Sequence, residues 1–443
     1  MNKKPGLQMT MGVLALLAMT AAAGCSGKET AKGNDPGGSA KSVQTLEEEL
    51  RSKPVELTIY YYTGKPTPDA FEEIFVQPLK RKFPNLSLKM VEGKMEDLIA
   101  ANQVPDLIYN HIGNLYATDK LDLMEDLTPY IKKYGVDLNR FDDVAIQALK
   151  QAKPGQLTAV PYYLNFGALY YNKDLFDKFG VAYPRDGMTW DETIELAKRM
   201  TRSDGGVQYK GLTVYSLARF QRVAGNAFYN PQTNKASLDT PEFSSFFDLF
   251  MRVYKIPGNE LTNPKDTAGT DPFVKQRNLA MLVQNNIIPN VLFDASKNGF
   301  NWDVAQYPSL PIRPNTMGDM DVQTVSISKV SKNKDAAMQL LISLMSDEVQ
   351  MNISSKYARL SALKDPKVKA AFGNESPYLK GKNIAGIFKS KLGISPPRTE
   401  ITGQAVTLLD NAWVDVYTKG KDINSALREA NEALNKFIAD QSK

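Results

Sequence analysis

The fold of this chain is decided by residues 55–109, which read VELTIYYYTGKPTPDAFEEIFVQPLKRKFPNLSLKMVEGKMEDLIAANQVPDLIY. Three short segments of this run are rich in β-branched, aromatic and other apolar residues, as strands are, and two helical segments separate them. The predicted elements are strands at 55–62, 86–91 and 105–109, and helices at 69–83 and 95–101. Strands that alternate with helices pair in parallel through right-handed crossovers, so the run predicts an α/β fold.

The ends of these strands indicate where a ligand would bind, because ligands of parallel sheets lie beyond the carboxyl ends of the strands. The residues that follow Tyr61 and Ile108 are therefore of interest before any family is considered.

A second group of elements begins near Pro161 and continues to the end of the chain. Thr189 and Glu192 form a capping box that opens a helix, and Thr240 opens another that carries an aromatic stripe typical of a buried face. Further helices are predicted at 335–353 and 422–439. A chain of 443 residues is too long for one ordinary core, so we expect two lobes.

The composition excludes several classes of function. The formal net charge of +5 is small and evenly spread, which argues against a nucleic-acid partner. Cys25 is the only cysteine, so no intramolecular disulfide forms, and one histidine excludes zinc sites with two or three His ligands. We predict neither a metal site nor a cofactor.

Residues 1–24 predict an export signal. Lys3 and Lys4 precede a thirteen-residue apolar stretch at 11–23, which is too short to span a bilayer. The small residues before Cys25 resemble the bacterial lipobox, although Ala22 stands where Leu is usual. The alternative is an ordinary secretory signal with an incidental free cysteine. The lipobox implies that Cys25 carries lipid and anchors the chain at the outer face of the cell membrane.

Residues 25–54 are predicted to be a disordered tether, because Gly, Ser, Lys, Asn and Pro dominate its first part. Only 46–52 could form a fraying helix. No later segment reaches 18 apolar residues, so the membrane would be contacted through the lipid anchor only.

Seven blocks in order resemble the extracellular solute-binding protein family 1, the maltose-binding-like group. The most specific is AVPYYLNFGALYYNKDLFDKFGV at 159–181, followed by TWDETIELAKRMT at 189–201. The others are the lipobox with its tether, ELTIYYYTGK, VPDLIY with LMEDLTPYI, RNLAMLVQNN with WDVAQYPSLP, VSISKVSKNKDAAMQLLISLMSDEVQ, and GKDINSALREANEALNKFI. From residue 55 onward they cover essentially the whole chain.

The resemblance implies a two-lobed periplasmic-binding-protein type II fold with a ligand cleft between the lobes. The implied lobes are 55–163 with 286–335, and 164–285 with 336–443. The chain would cross between them near 162–165, 284–286 and 330–340. It also implies a monomer that closes over a carbohydrate and presents it to the permease subunits of an ABC importer.

Five candidate ligand contacts follow the first and third predicted strands: Tyr62, Thr63, Lys65, Asn110 and His111. Lys65 occupies the place of a polar contact in the maltose-binding pattern. Asn110 and Asn114 replace a stacking Trp and a basic contact of that pattern, which implies a different sugar or a different orientation of it. Each of these residues also has a structural interpretation, such as a solvated lysine or a core tyrosine.

Five more candidates lie later in the chain: Tyr163, Asn165, Tyr215, Asn285 and Arg398. Asn165 stands where the family has an acidic residue that bonds sugar hydroxyls, and Tyr163 beside it could stack on a ring. Asn285 is the middle of three amides at a strand end. Arg398 could reach the cleft or cap a helix.

The main alternative is a cell-surface glycoside hydrolase, which needs two carboxylates about 5–10 Å apart. Sequence alone does not exclude such a pair, but the candidate cleft residues are amides and tyrosines. No G-x-S-x-G elbow or P-loop occurs, and a catalytic triad would have to use His111. A structural surface lipoprotein would show repeats, and none is visible. We therefore predict a binding protein and no enzyme, while a polyol or glycerophosphodiester ligand stays open.

Overall fold

The computed structural model describes residues 42–217, 227–319, 321–393 and 398–441. The predicted signal segment, Cys25 and the first part of the tether lie outside the described residues.

The fifteen strands of the described chain fall into two main sheets and two short ribbons. In chain order they are β1 (Val55–Tyr61), β2 (Leu86–Val91), β3 (Leu107–His111), β4 (Val160–Leu164), β5 (Gly167–Asn172), β6 (Arg202–Asp204), β7 (Val207–Val214), β8 (Tyr229–Asn230), β9 (Lys235–Ala236), β10 (Leu279–Asn285), β11 (Trp302–Ala305), β12 (Thr316–Asp319), β13 (Val322–Ile327), β14 (Leu360–Ser361) and β15 (Lys391–Gly393).

The α-helices of the described residues are, in the same order, α1 (Val43–Ser52), α2 (Pro68–Phe71), α3 (Gln77–Lys82), α4 (Met95–Ala100), α5 (Leu115–Lys120), α6 (Thr128–Lys133), α7 (Asp143–Ala152), α8 (Lys173–Phe179), α9 (Trp190–Met200), α10 (Pro241–Tyr254), α11 (Thr270–Val274), α12 (Phe293–Lys297), α13 (Lys334–Leu344), α14 (Asp347–Ser355), α15 (Pro366–Ala370), α16 (Ile384–Ile387), α17 (Glu400–Lys419) and α18 (Ile423–Gln441). A π-helical turn, Glu72–Val76, joins α2 to α3, and another, Ile288–Leu292, precedes α12.

The first sheet has the strand order β14-β4-β13-β3-β1-β2. As predicted, β1 pairs in parallel with β2 and with β3, with Ile59 opposite Leu107. Strand β13 runs antiparallel to both β3 and β4, so β4 runs in the direction of β1 and β3. The ends of β1, β3 and β4 therefore meet at one edge of the sheet.

The second sheet has the order β11-β5-β10-β7-β6. Strands β10 and β7 are parallel, whereas β5 is antiparallel to β10 and pairs Gly167 with Asn285. The chain passes from the first sheet to the second between the end of β4 and the start of β5, at residues 165–166. This lies at the first predicted crossing.

The two sheets divide the chain differently from the predicted lobe limits. Strand β11 lies within the predicted first lobe but pairs with β5 of the second sheet, because the apolar residues around Trp302 bury against it. Helices α13 and α14 lie in the predicted second lobe, yet they pack on the first sheet side, against β13, α3 and the π-turn before it. The segments 284–286 and 330–340 are therefore not the places where the chain changes sheet.

The last part of the predicted tether is folded, as helix α1. Its Leu50 packs against the core, and Arg51 lies 5.8 Å from the ring centroid of Phe83. Glu47 pairs with Lys82 at 2.8 Å. The physical reason is an amphipathic sequence that has one apolar face to bury, which the disordered prediction underestimated.

Helices α9 and α10 begin as the sequence predicts, whereas α17 was not predicted. Thr189 and Glu192 form the capping box of α9, with Thr189 Oγ1 accepting from the Glu192 N–H at 3.2 Å. The aromatic stripe of α10 is buried, and Phe250 packs on Trp413 of α17. Helices α10, α17 and α18 thus pack together beside the second sheet. Among the described helices, none combines the length and the apolar character needed to cross a membrane.

Candidate functional site

A cavity of about 400 Å³ lies between residues that follow β3 of the first sheet and residues that pack beside the second sheet. We call it the interlobe cavity. Its lining residues are His111, Gly113, Asn114, Tyr116, Ala227, Phe228, Tyr229, Pro231, Arg398, Thr399, Thr402, Gly403 and Val406. Aromatic rings, hydroxyls, an amide and a cation therefore converge on one space, as polar ligands with an apolar face require.

The first wall of this cavity is held by the buried amide of Asn110. Its Nδ2 donates to Thr118 Oγ1 at 3.2 Å, and its Oδ1 accepts from the His111 N–H at 2.9 Å and from Asn114 Nδ2 at 3.3 Å. Asn110 is fully buried and does not line the cavity. Asn110 therefore fixes the conformation of the segment that follows β3, while Asn114 faces the cavity.

Asp321 connects this wall to the passage between the sheets. Its Oδ1 lies 3.1 Å from Nδ1 of His111, and its backbone oxygen accepts from the N–H of Asn165 at 3.0 Å. The Oδ1 of Asn165 accepts from the next backbone N–H, that of Phe166, at 3.2 Å. Two predicted residues thus contact Asp321, His111 at its carboxylate and Asn165 at its backbone oxygen.

The second wall is the start of helix α17. Thr399 caps this helix by accepting from the N–H of Thr402 at 3.3 Å, which fixes where the helix begins. The guanidinium of the predicted residue Arg398 reaches across the cavity to Gly113. Thr402, Gly403 and Val406 follow on the same face of the helix.

The same helix continues into a second cavity of about 420 Å³, which we call the second-lobe cavity. It is lined by the predicted residue Tyr215, by residues 216–217, 250 and 264–268, and by Thr407, Asp410, Asn411 and Trp413 of α17. Burial raises the pKa of the Asp410 carboxyl, and the charge of Lys265 opposes that shift. Trp413 is buried, as predicted for a core residue, and its Nε1 donates to the Pro264 oxygen at 2.9 Å.

Tyrosines crowd the edge of the first sheet where β1, β3 and β4 end. The Tyr109 hydroxyl donates to Gln323 Oε1 at 2.8 Å and lies 3.0 Å from that of Tyr163. A bulge at this point of β4 leaves Tyr162 unpaired with β13, and Tyr162 packs on Tyr163 with ring centroids 5.1 Å apart. The predicted residue Tyr163 is buried here, under the guanidinium of Arg359.

Four further predicted residues, like Asn110, Tyr163 and Asn165, line neither cavity. Tyr62 packs edge-on against Tyr60, with centroids 5.0 Å apart, and burial raises its pKa to about 12. Thr63 is exposed, and the exposed Lys65 pairs with Glu92. Asn285 is half-buried at the end of β10, and its N–H donates to Gln284 Oε1 at 3.0 Å.

Sequence reasoning missed Asp410, Asn411, Tyr116, Tyr229 and Arg359. A signal for Asp410 and Asn411 was present in the sequence. Mostly small or polar side chains recur at helical spacing along α17, at 399, 402–403, 406–407 and 410–411. No pattern could find Arg359, whose neighbours come from distant parts of the chain.

Comparison with known proteins gives a family match. Residues 64–351 match the model of the bacterial extracellular solute-binding proteins. A curated relative, the arabinooligosaccharide-binding protein of Halalkalibacterium halodurans, is 27% identical over 204 residues, which cover 42% of this chain and 43% of that protein. The match therefore spans less than half the length of this relative.

Solved structures resemble the whole described architecture. The ABC substrate-binding protein of Listeria monocytogenes, solved in complex with cycloalternan, has a TM-score of 0.72 and 20% identity, covering 87% of this chain and 100% of that one. A solute-binding protein of Thermotoga lettingae, bound to α-D-tagatose, has a TM-score of 0.69 and 18% identity, covering 86% and 99%. These likenesses show the two-lobed periplasmic-binding-protein fold that the sequence predicts.

Proposed function

Because the chain belongs to the bacterial extracellular solute-binding protein family, we propose that it captures a sugar or oligosaccharide between its lobes and delivers it to an ABC import permease without converting it. The curated relative is described as binding an arabinooligosaccharide, and the two solved relatives hold a cyclic oligosaccharide and a ketose. The ligand class is thus supported by three different carbohydrates.

The observation that carries the proposal is the interlobe cavity. Its lining comes from both sides, with His111, Asn114 and Tyr116 facing Tyr229, Arg398 and Thr402. A ligand that contacts both sides favours the closed arrangement by its differential affinity for that arrangement. This coupling is what a delivery protein needs, because only the loaded form then presents both lobes to a permease.

We assign ligand contact to five residues at the two cavities. His111 and Arg398 supply polar groups in the interlobe cavity, while Tyr215, Asp410 and Asn411 supply an aromatic face, a carboxylate and an amide in the second-lobe cavity. One face of α17 lines both cavities. A ligand of several sugar units could therefore lie along this helix.

Lipid attachment at Cys25 completes the proposal. The lipobox-like sequence supports it, and two or more acyl chains give a durable anchor at the outer face of the membrane. The Cys25→Ser variant is expected to leave the membrane fraction and to lose the mass of the acylated N-terminus in mass spectrometry. Retention of the variant in the membrane would contradict lipidation at this residue.

The test of ligand class is thermal unfolding of the full chain in mild detergent against a panel of neutral, acidic and cyclic oligosaccharides, monosaccharides and polyols. A ligand at a hundredfold excess over its dissociation constant stabilises the folded state by about 2.7 kcal/mol. Binding without turnover of the oligosaccharide supports the proposal. Hydrolysis of any of them, or stabilisation by polyols alone, would contradict it.

A matched pair of variants tests the site. Asp410→Asn changes the second-lobe cavity, whereas Asp248→Asn changes an exposed carboxylate on α10 of the same lobe. We expect the first to weaken binding roughly tenfold, as loss of one good hydrogen bond to a charged group does, and the second to leave it unchanged. Equal affinities would remove Asp410 from the site.

A further inference from the structure

Arg359 lies at the tyrosine-lined edge of the first sheet. Its Cζ is 4.5 Å from the ring centroid of Tyr163, and its Nη2 donates to Asn290 Oδ1 at 3.4 Å. Asn290 belongs to the π-helical turn that follows the second-sheet strand β10. A tyrosine of first-sheet strand β4 and the turn that follows second-sheet strand β10 therefore meet at this guanidinium, close to the passage at residue 165.

The backbone before Arg359 is held in an unusual conformation. Ala358 has φ of 47°, a left-handed value that residues other than Gly rarely adopt, and it is fully buried. Its oxygen accepts from Asn286 Nδ2 at 2.9 Å, so a residue just after β10 holds it in place. Strain of this kind persists only where the surrounding structure enforces it, and it concentrates at binding sites.

Arg359 has no carboxylate within ion-pair distance among the described residues. Burial lowers its pKa, but the phenols of Tyr163, Tyr109, Tyr162 and Tyr61 more than offset this, so the pKa is raised and the group stays charged. Glu73, whose carboxylate bonds residues 356 and 357 just before Arg359, is already engaged by Lys356 at 2.6 Å and by Tyr357 at 2.7 Å. Among the residues that the structure describes, the partners of this half-buried cation are thus ring faces and one amide oxygen.

A second polar group at the same edge also lacks a partner. The hydroxyl of Tyr61 is buried, and no described residue accepts or donates a hydrogen bond there. Tyr61 stacks on Tyr109 with centroids 4.8 Å apart, within the electrostatic reach of Arg359. A polar atom of a ligand at this edge would therefore find a hydrogen-bond partner in this hydroxyl beside the guanidinium of Arg359.

Building on the proposed function, we propose that Arg359 is the anchor of a carboxylate subsite and that the transported carbohydrate is acidic, a uronic-acid oligosaccharide. The planar guanidinium pairs with a carboxylate through two parallel hydrogen bonds. The surrounding tyrosine rings supply the apolar face on which a sugar ring stacks.

The charge count favours a carboxylate over a phosphate. One guanidinium balances the single charge of a uronate, and no lysine lies among the groups that interact with Arg359. A phosphomonoester carries close to two charges near neutral pH and would call for further cations.

Titration calorimetry on the full chain in mild detergent tests this with di- and trisaccharides of galacturonate, glucuronate, mannuronate and guluronate. Each is compared with its methyl ester, which keeps the sugar but removes the charge. We expect at least one oligouronate to bind, and its methyl ester to bind roughly 30-fold more weakly or worse, as loss of a buried charge pair does. This comparison needs no variant, so it does not depend on how a variant folds.

Arg359→Gln is expected to bring the affinity for the oligouronate down to that of its ester, and Arg359→Lys to restore part of it. Arg199→Gln, on the exposed surface of α9, is the matched control and should bind as the unchanged chain does. If neutral oligosaccharides bind as well as oligouronates and Arg359→Gln alters nothing, the carboxylate subsite is overturned while the proposed function stands. If no carbohydrate binds to the unchanged chain, both are overturned.

Discussion

The guanidinium carbon of Arg398 lies 2.3 Å from the point that a Cβ atom would occupy on Gly113. Gly113 follows β3 of the first sheet, and Arg398 precedes helix α17 beside the second. Any side chain at 113 would therefore push the guanidinium out of this position, and only Gly permits the approach. Whether position 113 can hold a side chain therefore depends on how far apart the two walls of the interlobe cavity lie.

Gly113→Ala is expected to lower ligand affinity roughly tenfold, about 1.4 kcal/mol, because Arg398 must leave its place between the walls. The free energy of unfolding should change by less than about 0.5 kcal/mol, since a flexible side-chain end can move without disturbing the core. Calorimetry and thermal unfolding measure the two effects. In an Arg398→Ala background the added methyl has nothing to displace, so a further loss of affinity there would refute this explanation.

The ion pair between Lys120 and Glu400 also joins the two walls, from α5 to the first residue of α17. Both side chains are about half exposed, so the pair contributes about 0–1 kcal/mol and is screened by salt. We expect Lys120→Ala to weaken ligand binding by at most about fivefold at low salt and not at all at high salt. Ligand binding is measured from about 0.02 to about 0.5 M NaCl, a range over which the Debye length falls from roughly 20 to roughly 4 Å. The exchanged pair, Lys120→Glu with Glu400→Lys, should recover the loss.

Asn110→Ala should act on stability more than on binding. The side chain is fully buried, and the hydrogen bonds of its amide hold Thr118, His111 and Asn114 in place. Its removal therefore leaves buried groups without partners. Such losses amount to about 1–3 kcal/mol for each uncompensated group. We expect the free energy of unfolding in urea to fall by about 2 kcal/mol or more. A stable variant with lost affinity would instead make Asn110 a ligand contact.

Much of the first sheet could be predicted from sequence, because local patterns determine it. The alternation of β1 to β3 with helices is visible in residue type alone, and so is the capping box at Thr189 that starts α9. The placement of β11 could not be predicted, since an apolar strand of four residues pairs equally well with either sheet until the tertiary structure selects one.

Three predicted residues line a cavity, and two of them stand at strand ends. His111 is the last residue of β3 and Tyr215 follows β7, whereas Arg398 precedes a helix. Asp410 lies late in a long helix, and its role depends on Tyr215 and residues 264–268 packing opposite it. Arg359 depends on partners at 163 and 290, from separate parts of the chain. Contacts between residues so far apart in the sequence are determined by the topology of the fold, which local residue patterns do not reveal.

For the Asp410→Asn variant we expect folding stability and ligand affinity to change in opposite directions. Burial raises the pKa of this carboxyl in the folded state, so the folded state holds its proton more tightly than the unfolded chain, where the pKa is about 3.9. Folding stability therefore falls as pH rises through the raised pKa, and at neutral pH the charged carboxylate is a net cost.

The variant should be more stable at pH 7, and the gain should shrink on acidification and vanish below about pH 3.9, where Asp410 is protonated in both states. Asp410 is only partly buried, so screening by water keeps the gain below about 0.5 kcal/mol. Unfolding curves of both proteins from about pH 3 to about pH 8, roughly one unit below the unfolded pKa and one above neutral pH, measure this gain in stability. Asp248→Asn should show no such pH dependence, and a gain that is equal at all pH values would mean that the carboxyl is not perturbed. The same variant should lose affinity because the carboxylate of Asp410 lines the second-lobe cavity.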